Sequence, residues 1–226
     1  MQRSCLIFIS VAISATATLT LLSLIIVPVI SIEIVWATYQ ISGTEQDDNI
    51  SGTTSNDDII ALGSNDTIFG GKGNDKIRGN EGDDDINAGD GDDRVLGDEG
   101  YDFILGGTGN DNIQGGEGDD DISGMEGNDI IRGNEGDDDI SGMEGNDKIR
   151  GNEGSDSISG GIGNDQLHGN EGDDTLKGNS GDDVFKGGTG SDGFDCGEGY
   201  DTITDYNQIE DYYKEEKDCE VVMSMK

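Results

Sequence analysis

From Gly43 to Thr204 an apolar residue returns at every ninth position, with no insertion to break the count. Numbering each nonapeptide from its first residue, position eight is Ile in thirteen of eighteen copies and Val95, Leu167, Leu176, Phe185 or Phe194 in the rest. Positions seven and nine are mostly polar, so each copy ends in a polar–apolar–polar triplet, the alternation of a half-buried strand. Position one is Gly in fifteen copies, failing at Ala61, Ala88 and Cys196; position four is also Gly in fifteen, failing at Gln46, Ser55 and Ser64. Gly allows positive φ or close approach of another backbone, so the spacing predicts a turn over positions one to six and a three-residue strand over positions seven to nine.

A strand that short cannot stand alone, whereas stacked copies can share one core. Two nonapeptides then make one turn of a flattened coil, each contributing a strand to one of two parallel sheets, with every position-eight side chain pointing inward. Residues 124–141 recur at 142–159 with three changes, which supports an eighteen-residue structural unit. Eighteen copies make about nine turns, roughly 43 Å at ~4.8 Å per strand. Ile41 is already in phase as a position-eight residue, the first three copies read as a degenerate cap, and Phe185, Phe194, Ile203 and Tyr206 read as a bulkier lid at the far end.

Composition sharpens the problem. Of 226 residues only 31% are hydrophobic, against 50 acidic and 13 basic, for a net charge of −37. Such a chain is ordinarily disordered, and the array is expected to be so without a ligand. Position six is Asp in every copy, and position five is Asp or Asn in fourteen. Stacking places Asp66, Asp84, Asp102, Asp120, Asp138, Asp156, Asp174 and Asp192 in one column. It places Asp75, Asp93, Asp111, Asp129, Asp147, Asp165, Asp183 and Asp201 in another. Like charges about 5 Å apart would open the coil unless a cation intervened. Carboxylates and turn carbonyls are hard oxygen donors that suit Ca²⁺, which accepts six to eight of them in flexible geometry; Mg²⁺ keeps its waters. Zinc and copper are disfavoured, since the array offers only His168, at an outward ninth position, and Cys196 as soft ligands.

The nonapeptide, in copies such as Gly106-Gly-Thr-Gly-Asn-Asp-Asn-Ile-Gln114 and Gly160-Gly-Ile-Gly-Asn-Asp-Gln-Leu-His168, resembles the RTX repeat Gly-Gly-x-Gly-x-Asp-x-U-x, where U is apolar. That resemblance covers residues 43–204 and implies an all-β fold, a right-handed parallel β-roll (β-solenoid) with calcium between stacked turns. It further implies that position-six carboxylates eighteen residues apart share each ion, Asp75 with Asp93, Asp84 with Asp102 and so on to Asp183 with Asp201, together with turn carbonyls. Copies four to eighteen then provide about thirteen sites and the whole array at most about sixteen. Thirteen ions would bring −37 to roughly −11.

Outside the array, residues 1–37 hold Arg3 and a mostly apolar run, Leu6 to Trp36, which reads as a signal peptide leaving at Val35-Trp36-Ala37 or as an uncleaved membrane anchor. Ala15-Thr16-Ala17 also fits a cleavage pattern but would leave Leu19 to Ile34 on the mature chain. Either reading puts the array outside the cytoplasm, and an N-terminal segment favours general secretion over the one-step export common in similar proteins. Residues 38–42 are a short lead-in and residues 205–226 a C-terminal cap and charged tail. Cys196 and Cys219 would be the only cysteines of the mature chain, since Cys5 lies in the leader, and a disulfide between them suits an oxidising exterior.

Seven of the thirteen Lys and Arg fall at positions seven and nine of even-numbered copies and so on one sheet: Lys76, Arg78, Arg94, Arg132, Lys148, Arg150 and Lys186. That basic face is a candidate for docking a cell-surface glycan or another copy of the chain, unless it only compensates nearby turn carboxylates. The negative charge excludes nucleic acid as partner. Catalysis is not expected: the segments beside the array are too short for an enzyme domain, one histidine cannot make a His-x-x-x-His zinc site, and no Gly-x-Ser-x-Gly elbow occurs. Pore formation would need an apolar domain, and ice binding would need flat Thr ladders. The sequence thus describes a secreted or cell-surface calcium-binding protein of structural or adhesive kind, or an accessory calcium-binding module of an extracellular enzyme or toxin system.

Overall fold

The computed structural model describes residues 39–205, 212–213 and 219–221. The N-terminal segment expected to be a signal peptide or anchor, residues 1–37, and Tyr206 lie outside the described residues; among the described residues no helix is long and apolar enough to cross a membrane. Successive strands alternate between two all-parallel sheets, one of eleven strands and one of ten. Strands two apart in the chain are neighbours in a sheet, so the sequence offset between paired residues is eighteen: Ile131 pairs with Ile149, and Ile122 with Ile140. The two-copy turn expected from the period is the turn observed. Even-numbered copies feed the eleven-stranded sheet and odd-numbered copies the ten-stranded one.

Strand length departs from the reading above. Strands run for six residues, as in Lys76–Glu81 and Asp85–Asp90, and so continue through positions one to three of the next copy. The tight turn is confined to positions four to six. What the three-residue expectation missed is position two, where Asn80, Asp98, Asn134 and even Met125 adopt positive φ. This left-handed residue bends the strand without ending it, and the ladder resumes at position two, where Asn80 pairs with Asp98. Position one faces inward: Ala61, Ala88 and Cys196 are buried there beside the position-eight ladder.

The core is that ladder. Ile59 through Ile203 at position eight are all buried, and the first three copies join it in register with the rest, although the first contributes only the three-residue strand Asn49–Ser51. Ile41 stacks on Ile59 and packs against the core as expected from its phase. Near the other end Phe185 and Phe194 reach across from opposite sheets, their rings edge to face with centroids 6.1 Å apart. Each side chain touches mainly the turns above and below, so the roll gains stability turn by turn.

Two positions show why Gly is needed. A Cβ on Gly106, at position one, would lie 2.6 Å from Asp111 Oδ2 and 2.7 Å from the Gly124 carbonyl oxygen. At position four, Gly109 has φ of 128°, and a Cβ there would run into the Gly91 carbonyl oxygen. Both glycines make room for oxygen atoms.

Cys196 and Cys219 form a disulfide with Cα atoms 5.8 Å apart. Cys196 belongs to strand Gly193–Glu198 of the ten-stranded sheet, and Cys219 to strand Cys219–Val221 of the eleven-stranded sheet. The crosslink therefore ties the last strand of the eleven-stranded sheet to the next-to-last strand of the ten-stranded one, beyond which lies Tyr212–Tyr213.

Candidate metal centre

Position six follows the tight turn and immediately precedes each strand. Its aspartates do not project into solvent: from Asp57 to Asp201 all seventeen are buried. From Asp66 onward each carboxylate reaches back one turn, and its Oδ1 accepts a hydrogen bond from the backbone N–H of the position-six residue eighteen earlier. Asp75 N–H donates to Asp93 Oδ1 at 2.7 Å, Asp84 N–H to Asp102 Oδ1 at 2.9 Å, and Asp183 N–H to Asp201 Oδ1 at 2.9 Å. The bond recurs through both columns, at Asp66–Asp84, Asp102–Asp120–Asp138–Asp156–Asp174 and Asp192 on one side of the roll. On the other it joins Asp93, Asp111, Asp129, Asp147, Asp165 and Asp183. The columns drawn from the period are thus the columns in space, and each pair eighteen residues apart is in direct contact.

The second carboxylate oxygen is left over. From Asp66 to Asp183, Oδ2 of every position-six aspartate is buried and accepts no hydrogen bond. A buried oxygen with a full negative charge and no partner costs several kcal/mol in an apolar surrounding. The groups respond as burial dictates. Desolvation raises the Asp84, Asp111, Asp156 and Asp183 carboxyls to about 7 and that of Asp120 to about 8, with the backbone hydrogen bond pulling the other way and neighbouring carboxylates adding to the rise. At neutral pH the roll therefore holds two columns of carboxylates that need either a proton or a cation.

Which cation suits them follows from the donor set. Among the described residues no three His, Cys, Asp or Glu side chains gather as a side-chain metal cluster. A cation held by two such carboxylates would be completed by backbone carbonyls, and a position-four carbonyl lies close to the next turn, as Gly91 O does beside Gly109. An all-oxygen set of this kind fits Ca²⁺, and when bound the ion supplies the positive charge that the columns lack.

Models of the RTX calcium-binding nonapeptide repeat match residues 42–77, 70–104, 96–131, 105–140, 132–167 and 168–203. The chain belongs to the RTX repeat family. A search of curated proteins finds no match. As an RTX repeat protein with a parallel β-solenoid fold, it is a calcium-binding repeat protein.

Two other periodic rows are visible only in the fold. Position-five side chains form ladders outside the aspartates: Asn128 N–H donates to Asn110 Oδ1, Asn146 N–H to Asn128 Oδ1 and Asn164 N–H to Asn146 Oδ1, at 2.8–3.0 Å. These groups hold the turns in register. Position three holds Glu81, Glu99, Glu117, Glu135, Glu153 and Glu171, stacked on six successive strands of the eleven-stranded sheet and all exposed. The signal for that row was an eighteen-residue period, hidden behind the stronger nine-residue one. His168 lies on the same sheet between Arg150 and Lys186, half-buried, and burial with those two cations lowers its pKa.

Proposed function

We propose that this RTX repeat protein is an extracellular structural or adhesive module that is disordered during export and folds into its roll on meeting Ca²⁺ outside the cell. Its ions would lie between position-six pairs from Asp75–Asp93 and Asp84–Asp102 to Asp174–Asp192 and Asp183–Asp201, about thirteen in the regular copies and at most about sixteen in the whole array, with no catalytic step of its own. One observation carries the reading: the two columns of buried carboxylate oxygens without a hydrogen-bond donor, from Asp66 to Asp183. A fold that requires charge neutralisation at each turn converts metal-binding free energy into folding free energy. Extracellular calcium modules work at about 10⁻⁴–10⁻³ M, well above cytosolic levels, so the same chemistry separates an unfolded chain inside from a folded one outside. The disulfide and the apolar N-terminal segment support the extracellular setting.

Far-UV circular dichroism of the chain, titrated from chelator to about 10 mM Ca²⁺ with Mg²⁺ as control, tests the reading at the concentrations expected for such modules. A cooperative coil-to-β transition near millimolar Ca²⁺, absent with Mg²⁺, is expected. A spectrum that is already β in chelator at pH 8, or stays coil throughout, would end it.

A further inference from the structure

The outer face of the eleven-stranded sheet carries two charged stripes running along the roll. One lies at positions seven and nine, where Arg132, Lys148, Arg150 and Lys186 follow one another on strands Ile130–Glu135, Lys148–Glu153, Gln166–Glu171 and Val184–Thr189, with His168 between them. The other is the position-three glutamate row, three residues further along the same strands. A groove of about 640 Å³ runs between the two rows in the N-terminal half of the face, bordered by Leu96 and Gln114 from position nine and by Glu81, Glu99, Glu117 and Glu135 from position three. The stripes do not neutralise each other. Among the described residues the ion pairs are Lys72 with Asp90 and Arg78 with Asp98; none joins Arg132, Lys148, Arg150 or Lys186 to a carboxylate, and Arg132 donates only to Asn112 Oδ1 at 3.3 Å.

We propose that this face is a self-association surface and that its partner is a second copy of the same roll. An anionic polymer would answer the basic stripe but be repelled by the glutamate row beside it. The matching surface must carry both signs, in reverse order across the strand, with the same rise per turn. A second copy has that surface by construction. A two-fold axis laid along the roll, in the plane between two such faces, reverses the order of the stripes and leaves height along the roll unchanged. Arg132 then faces the partner's Glu135, and Arg150 the partner's Glu153, with the pairs repeated at about 4.8 Å per strand. The contact rests on the calcium-folded roll proposed above, because only stacked turns bring the stripes together and only bound cations lower the repulsion between two chains of charge −37.

Sedimentation velocity of the full chain in millimolar Ca²⁺, with circular dichroism on the same samples, tests it. Dimers are expected at low ionic strength and monomers in ~0.5 M NaCl, where screening shortens to a few ångströms. Arg132→Glu/Arg150→Glu sets acidic side chains against the partner's Glu135 and Glu153, and Glu135→Lys/Glu153→Lys sets basic side chains against the partner's Arg132 and Arg150. Each variant alone should fold with calcium but associate at least about tenfold more weakly, a loss of ~1.4 kcal/mol or more. Mixing the two should restore dimers. A wild-type roll that is β by circular dichroism yet monomeric at low salt overturns the proposal, as does a mixture that stays monomeric. A monomer that binds polygalacturonate through Arg132 and Arg150 would overturn it in favour of a polyanion. Failure to fold with calcium would instead show in the dichroism and count against the functional reading.

Discussion

At the level of single residues the position-six aspartate does two jobs with its two oxygens. Oδ1 replaces a backbone acceptor for the turn below, and Oδ2 is turned toward the Cα of a position-one Gly, as Asp111 is toward Gly106. Burial moves the carboxyls of Asp75, Asp84 and Asp120 from 3.8 to about 6, 7 and 8 in the roll, so the metal-free roll holds protons more tightly than the unfolded chain does. That preference favours the roll fully below about pH 4 and is lost as pH rises through 6 to 8. In chelator, the chain should therefore gain β dichroism on acidification from pH 8 toward pH 4.5 and lose it on return. Asp120→Asn, which keeps an acceptor but removes the charge, should shift that transition to higher pH. An unchanged coil spectrum across the range would show that buried charge does not control folding.

Among elements, the strand was only half legible. Position eight and its flanks announced a strand because apolar and polar residues alternate there. Positions one to three did not, because Gly79-Asn80-Glu81 and its counterparts look like turn sequence. What makes them strand is tertiary: position one sits against the core, and a left-handed residue at position two is tolerated because the neighbouring turn has the same kink, as Asn134 has beside Asn152. The column partners of each aspartate followed directly from the period, whereas the burial of the carboxylates did not, since exposure cannot be read from a turn composition alone. The ladder itself is testable. Ile131→Ala in the middle of the array should lower stability in calcium by about 2–5 kcal/mol, measured by denaturant unfolding. Because each rung contacts mainly its neighbours, hydrogen exchange should increase chiefly in adjacent turns around Ile113 and Ile149, its strand partners. Uniform loss of protection along the whole array would contradict that locality.

For the whole molecule, the C-terminal end is built differently from the middle. The Phe185–Phe194 contact and the Cys196–Cys219 crosslink join the two sheets near the end of the array, where only the short strands Asp201–Ile203, Tyr212–Tyr213 and Cys219–Val221 follow among the described residues. In a fold stabilised turn by turn, an unprotected last turn is where opening starts. The pairing of the two cysteines was readable from their number, but their bridging of opposite sheets was not. Reduction, or Cys219→Ser, should cost about 3 kcal/mol in the loop-entropy account. It should also raise the calcium midpoint and speed exchange in strand Gly193–Glu198 before the centre of the array. Equal calcium midpoints for oxidised and reduced chains would show that the crosslink does not guard that end.

The near-identical segments 124–141 and 142–159 stack residue on residue, Met125 on Met143 and Glu126 on Glu144. A chain leaving such a turn arrives where it entered, displaced by one strand spacing. Copying eighteen codons in tandem therefore lengthens the roll without disturbing anything downstream. Copying nine would be a different event: every later strand would change sheets, and the lysines and arginines beyond the insertion would emerge on the opposite side. Lineages of such proteins should accordingly differ in length by whole turns, with half-turn changes confined to the ends.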